Sequence, residues 1–217
     1  MSPERLLNFV RVLLGTVYLV NGTNWFFKII TPYPSMSDYV HFMPPPDVVG
    51  AMIEQGVLFH AAKAMEVIAG VLLLSNRFVP LALVVSMSVT VPVFIVDVFK
   101  PEFRVRAFLM GSGSLVMNLT LLMAYFDHYR AMMTQRGVLN PDPATPQAVQ
   151  GDAVSQGTAA LCRALLPLAA PVSALLGLVM VGWLALMIGQ YVADPKAMYE
   201  VRPLKPRPGY VASATPA

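Results

Sequence analysis

Residues 57–99 read VLFHAAKAMEVIAGVLLLSNRFVPLALVVSMSVTVPVFIVDVF. Two apolar runs, residues 57–75 and 78–99, are parted only by Asn76 and Arg77. Each run is about as long as a bilayer-spanning helix needs to be. A connection this short makes the two helices antiparallel neighbours. Residues 6–30 and 107–126 are two further runs of the same kind, and the connection across 100–106 is again short. The four together are expected to form an antiparallel transmembrane bundle, the unit of residues 1–130. Residues 131–165 are rich in Pro, Gln, Asp and Gly and read as a polar linker. Residues 166–193 form a fifth apolar run, and residues 194–217 form a proline-rich tail that reads as extended. The expected fold is therefore an all-α integral membrane protein, with a fifth transmembrane helix appended after a linker.

Composition agrees. Of 217 residues, 56% are hydrophobic and 12% charged, against about one quarter charged in a soluble domain. Mean hydropathy is +0.61. The net charge is only +3, so the basic balance does not signal a nucleic-acid partner. The single cysteine excludes an internal disulfide and a cysteine zinc site. There is no HExxH, P-loop or GxSxG motif. His60 and His128 fall at opposite ends of the bundle by span order, so they do not share a haem iron, and no metal site is expected. The 14 methionines are read as packing residues. The first run has no A-x-A-like cleavage site after it, but Trp25, Phe26 and Phe27, as an interfacial belt would; it is expected to be retained. Lys and Arg in the flanks do not settle the orientation. A cytoplasmic N-terminus is expected because the first helix usually dominates.

The informative residues are polar ones inside the runs. His60, Lys63 and Glu66 are three apart and share one helix face. Charges at such depth are costly and are usually paired or functional. Lys63 is the nearest partner for Glu66, and a structural ion pair is as good a reading as a functional one. Asn21, Asn24 and Lys28 share a face of the first run. Asp97 ends the third run, and Asn118 lies in the fourth. Span order puts all of these in the half of the bilayer next to residues 31–56. That segment holds Pro44, Pro45 and Pro46, with room for a short helix at 47–55, and reads as a lid. The expected site is a polar pocket of Asn21, Asn24, Lys63, Glu66 and Asn118. Lys28, His60 and Asp97 stand at its rim. Its charges nearly cancel, which suits the head group of a quinone or lipid better than a bare ion. In the fifth run Ser173 and Gly177 are four apart, as are Ala185 and Gly189. Small residues at that spacing suit close packing, on the bundle itself or on another subunit.

Within residues 63–83, Glu66, Gly70, Leu72 to Leu74, Asn76, Arg77, Pro80, Leu81 and Ala82 form a pattern of acid, glycine, leucine run and N-R-F-x-P-L-A turn. It resembles the DoxX-like family of small bacterial membrane proteins. Arg11, Gly15, Asn21, Gly22, Trp25, Phe26 and Lys28 extend the resemblance into the first run, and it covers about residues 5 to 127. The resemblance implies a multi-pass protein of the bacterial inner membrane, linked to redox systems that include a quinone-dependent one. It supplies no catalytic motif to carry over. The expected role is thus a membrane subunit of a redox complex, not catalytic on its own. Its partners would be other membrane or redox subunits, met through the fifth helix and tail. The alternatives are a proton-coupled or small-molecule carrier with Glu66 titrating, and a pure assembly subunit.

Overall fold

The computed structural model describes residues 2–27, 52, 55–99, 105–133 and 153–193. Among them every regular element is helical: α1 (Pro3–Phe27), α2 (Leu58–Leu74), α3 (Val79–Val98), α4 (Val105–Ala124) and α5 (Ala153–Ala193). Two 3-10 turns, Phe126–His128 and Arg130–Met133, follow α4. Lys28, nearly all of the lid and of the 47–55 helix, the linker over 134–152 and the tail from 194 lie outside the described residues.

Among the described residues, four helices are long and apolar enough to cross a bilayer: α1, α3, residues Ala107–Ala124 of α4 and Ala153–Gln190 of α5. At 17 residues, α2 spans about 26 Å, the short end of the range. Leu81, Ile95, Leu175 and Leu186 are exposed on the outer faces. Helices apolar inside and outside are what a bilayer solvent requires. The chain is a multi-pass membrane protein.

Packing partners give the topology. Gly15 of α1 lies against Leu73 and Leu74 of α2, and Gly22 against Lys63 and Val67, so these two helices run antiparallel. Gly111 of α4 faces Asp97 of α3, while Asn118 reaches Ser86, which sets α3 and α4 antiparallel too. Thr120 meets Ser173 and Gly113 meets Met180, so α5 returns against α4. That leaves α5 parallel to α1, which it also touches. All five helices feed one apolar core, with Leu14, Leu73, Leu83, Met117 and Met180 fully enclosed.

The fifth helix departs from the sequence expectation twice. It is not set apart from the bundle: Ala174, Gly177, Met180 and Leu184 are built into the shared core. It also begins at Ala153, not 166, and runs 41 residues, about 62 Å. The reason is a buried stripe of small residues, Ser155, Ala159, Cys162, Ala170, Ser173, Ala174 and Gly177, at helical spacing. The helix continues through Pro167 and Pro171.

The α2–α3 connection explains the N-R-F-x-P turn. Asn76 adopts φ 56°, the left-handed conformation that asparagine tolerates better than most residues. The Asn76 amide donates to Leu73 O at 3.3 Å and the Arg77 amide to Leu72 O at 3.0 Å. That is the Schellman pattern of helix termination. Phe78, at φ 50°, then turns the chain into α3, where Pro80 sits in the first turn and loses no helical bond. Arg11 of α1 completes the stop. Its buried guanidinium donates to Leu73 O, the carbonyl that also accepts from the Asn76 amide, at the negative end of α2.

Candidate functional site

Glycines create the site. A Cβ on Gly70 would sit 2.7 Å from Leu19 N and 2.9 Å from Gly15 O. One on Gly22 would sit 2.9 Å from Lys63 O. The α1 and α2 backbones therefore meet almost directly, and short polar side chains can bridge them. Lys63 and Glu66 lie on the α2 face turned to this seam and are only 7% and 4% exposed. Lys63 Nζ donates to Glu66 Oε1 at 3.0 Å and to Oε2 at 2.9 Å. Asn21 Nδ2 on α1 adds a third bond, to Oε2 at 2.9 Å. An ion buried alone would be prohibitive; the pair plus a neutral donor makes it tolerable.

An aromatic rim closes the outer end of this group. Trp25 stands edge-on to Phe59 with ring centroids 4.5 Å apart, and to His60 at 5.6 Å. Lys63 Nζ lies 5.5 Å from the centre of the Phe59 ring, where the ring's negative face adds attraction. His60 also meets Phe26 and is bonded through Nδ1 to Gly56 O at 2.9 Å. Asn24 is buried on α1 and has an interaction of its own.

Asn118 belongs to a second polar group. It is fully buried, and its Nδ2 donates to Tyr18 OH at 3.0 Å and to Ser86 Oγ at 2.7 Å. Thr90 Oγ1 donates to Ser86 O at 2.8 Å, so the 2.6 Å contact between Tyr18 and Thr90 hydroxyls is donated by Tyr18. Ser86 Oγ in turn donates to Leu83 O. This chain ties α1, α3 and α4 together at one depth. Asn118 Oδ1 has no partner among the described residues.

The five expected pocket residues thus fall into separate groups. Asn21, Lys63 and Glu66 join across α1 and α2, and Asn118 joins Tyr18, Ser86 and Thr90. Of the expected rim, His60 lies by the first group, and Asp97 lies on the α3–α4 seam beside Gly111. Sequence reasoning missed Tyr18, Ser86, Thr90 and Arg11. The available signals were Tyr18 three residues before Asn21 and Ser86 four before Thr90, each pair on one face. Among the described residues no three His, Cys, Asp or Glu side chains converge as a metal site would need.

The DoxX family model matches residues 6–98, which run from α1 to the end of α3. The match stops short of α4, although the resemblance read from the sequence extended to 127. No curated protein and no solved structure matches the chain. The Lys63–Glu66 pair, the glycine seam and the N-R-F-x-P turn all lie inside the matched segment. Over residues 6–98, less than half of its length, the chain is similar to the DoxX family.

Proposed function

We propose that the protein is a non-catalytic membrane subunit of a bacterial redox complex, and that the Asn21–Lys63–Glu66 group holds the head group of a quinone or lipid. The observation that carries this reading is the buried charge pair at one end of the bundle, beneath Trp25, Phe59 and His60. Ammonium and amide donors suit the carbonyl of a quinone ring or the ester of a lipid. Charges at this depth are usually kept for function. The link to redox and quinone systems comes from the family alone. A bacterial inner-membrane location with a cytoplasmic N-terminus belongs to the same proposal.

The test is extraction of the full chain, purified in mild detergent, with mass spectrometry of what it carries. A quinone or lipid at near-equal amount, lost on Lys63→Met and on Glu66→Gln, is the expected result. Removing one member of a buried pair costs about 3–5 kcal/mol and removing both costs less. The double variant therefore separates lost binding from lost folding: it should be the more stable protein and still be empty. Ligand retained by the double variant refutes the site. One observation favours a second reading, a pure assembly subunit. Both Glu66 oxygens are already engaged by Lys63 and Asn21. Purified protein with no ligand but a stoichiometric partner subunit would decide for it.

A further inference from the structure

Arg11 is a buried cation that the ion pair does not serve. The residue is 8% exposed, and its Nη1 donates to Leu73 O. Its Nε is buried with no partner among the described residues, and Nη2 makes no bond among them either. The described acids are placed elsewhere. Glu66 is bonded to Lys63 and Asn21, Asp127 faces Arg130 and Arg163, and Asp97 lies on the α3–α4 seam. Glu4, seven residues before Arg11, is exposed. The negative end of α2 offsets about half a charge. The rest is left without a counter-charge in a place where charges are kept only when paired.

We infer that Arg11 holds a phosphate group, taken from a lipid head group or from solution. A guanidinium is a planar fork, and the N–H groups of Nε and Nη2 leave it side by side along one edge. That edge matches two oxygens of an oxyanion through parallel bonds, and it is the edge left unused here. The carbonyl of Leu73 holds the opposite side of the group, so the fork is fixed before a ligand arrives. Depth is suitable as well. Arg11 lies eight residues past Pro3, about 12 Å along α1. Side chains on a helix lean towards its N-terminus, so the long stem carries the charge back towards the lipid phosphates at that end. The site lies about 10 Å along α2 from Glu66 and does not rest on the role proposed for the Lys63–Glu66 group.

Thermal unfolding of the full chain, purified in a mild uncharged detergent, tests the inference with two paired probes. The first is inorganic phosphate against sodium chloride of equal ionic strength. The second is phosphatidylglycerol against dioleoylglycerol, which has no phosphate. Each tenfold rise of a ligand past its dissociation constant should lift the midpoint by about 3–6 °C. A rise with inorganic phosphate marks a site open to solution, and a rise with phosphatidylglycerol alone marks one fed by the bilayer. Arg11→Met removes the charge and should abolish the response. Arg11→Lys keeps the charge without the fork and should respond only at higher concentration. A parent midpoint that neither probe moves overturns the proposal. So does a parent that inorganic phosphate leaves unmoved and dioleoylglycerol stabilises as well as phosphatidylglycerol, and so does an Arg11→Met variant that responds like the parent. If both Arg11 variants fail to fold, Arg77→Gln decides. It removes an exposed cation of the α2–α3 turn and should respond as the parent does, and loss of its response would move the binding to the surface and overturn the site.

Discussion

Replacing Gly70 by alanine tests the backbone seam on which the ion pair depends. The new Cβ would lie 2.7 Å from Leu19 N, 2.9 Å from Gly15 O and 3.0 Å from Leu19 Cα. All three are main-chain atoms of a helix, so no side chain can swing aside. Comfortable separations begin near 3.5 Å, so α1 and α2 must part by about 0.8 Å. Overpacking of this kind costs about 1–3 kcal/mol, and a gap of that size forfeits a quarter to a half of each dispersion contact along the seam. Parting also stretches the 2.9 Å bond from Asn21 to Glu66 past hydrogen-bond range. Alanine returns about 1 kcal/mol of helix propensity. The expected net loss is about 2 kcal/mol, which for a chain of this size lowers the unfolding midpoint by about 4–8 °C. Gly182→Ala is the control, because a Cβ there meets nothing within 4 Å. It should be neutral or slightly stabilising. Thermal unfolding of both variants in one detergent gives the comparison. Equal midpoints for Gly70→Ala and Gly182→Ala would refute the close approach.

Two further outcomes follow from the packing of the later helices. A chain ending at Met133 should insert but unfold well below the full chain, because Leu13 and Met117 lose Gly177, Gly113 loses Met180, and Thr120 loses its bond to Ser173. Loss of a fully buried methionine alone costs about 2–5 kcal/mol, and an unchanged midpoint would show α5 to be a separate module after all. Tyr129 donates to Pro80 O at 2.8 Å, and burial, then Tyr125, push its hydroxyl up from 10.0 to about 12. The folded state holds this proton more tightly than the unfolded one, so its stabilisation is complete below pH 10 and is lost as pH rises towards 12. The midpoint advantage of the parent over Tyr129→Phe should shrink across that window.

Hydropathy locates the apolar runs because burial in a bilayer demands length and little else. The N-R-F-x-P turn was legible for a similar reason, since its Asn76 and Pro80 act through local backbone geometry. The Lys63–Glu66 spacing likewise reads as a pair, because both residues ride on one helix. What depends on the rotation of one helix against another was hidden. Span order gives Asn118 a depth but not an azimuth, and azimuth is what sends it to Tyr18 and Ser86. The first turns of α5 were hidden differently. Ser155, Gln156, Gly157 and Thr158 lower an averaged hydropathy, while the buried stripe through Ser155, Ala159 and Cys162 is made of small residues that hydropathy barely weighs.

The placement of Lys63 and Glu66 on the same helix also bears on how the chain enters its membrane. A lone lysine or acid near the centre of an inserting helix costs about 2.5–3.5 kcal/mol. Had the partners been on different helices, each would have faced the hydrocarbon alone until assembly brought them together. Three residues apart, they neutralise each other within a single turn of α2, before any neighbour has docked. This helix carries its counter-ion through the insertion machinery. Because α1 is made first, Asn21 is already in the bilayer when α2 arrives. The third bond to Glu66 then becomes a reason for the two helices to associate, rather than a debt either must carry alone.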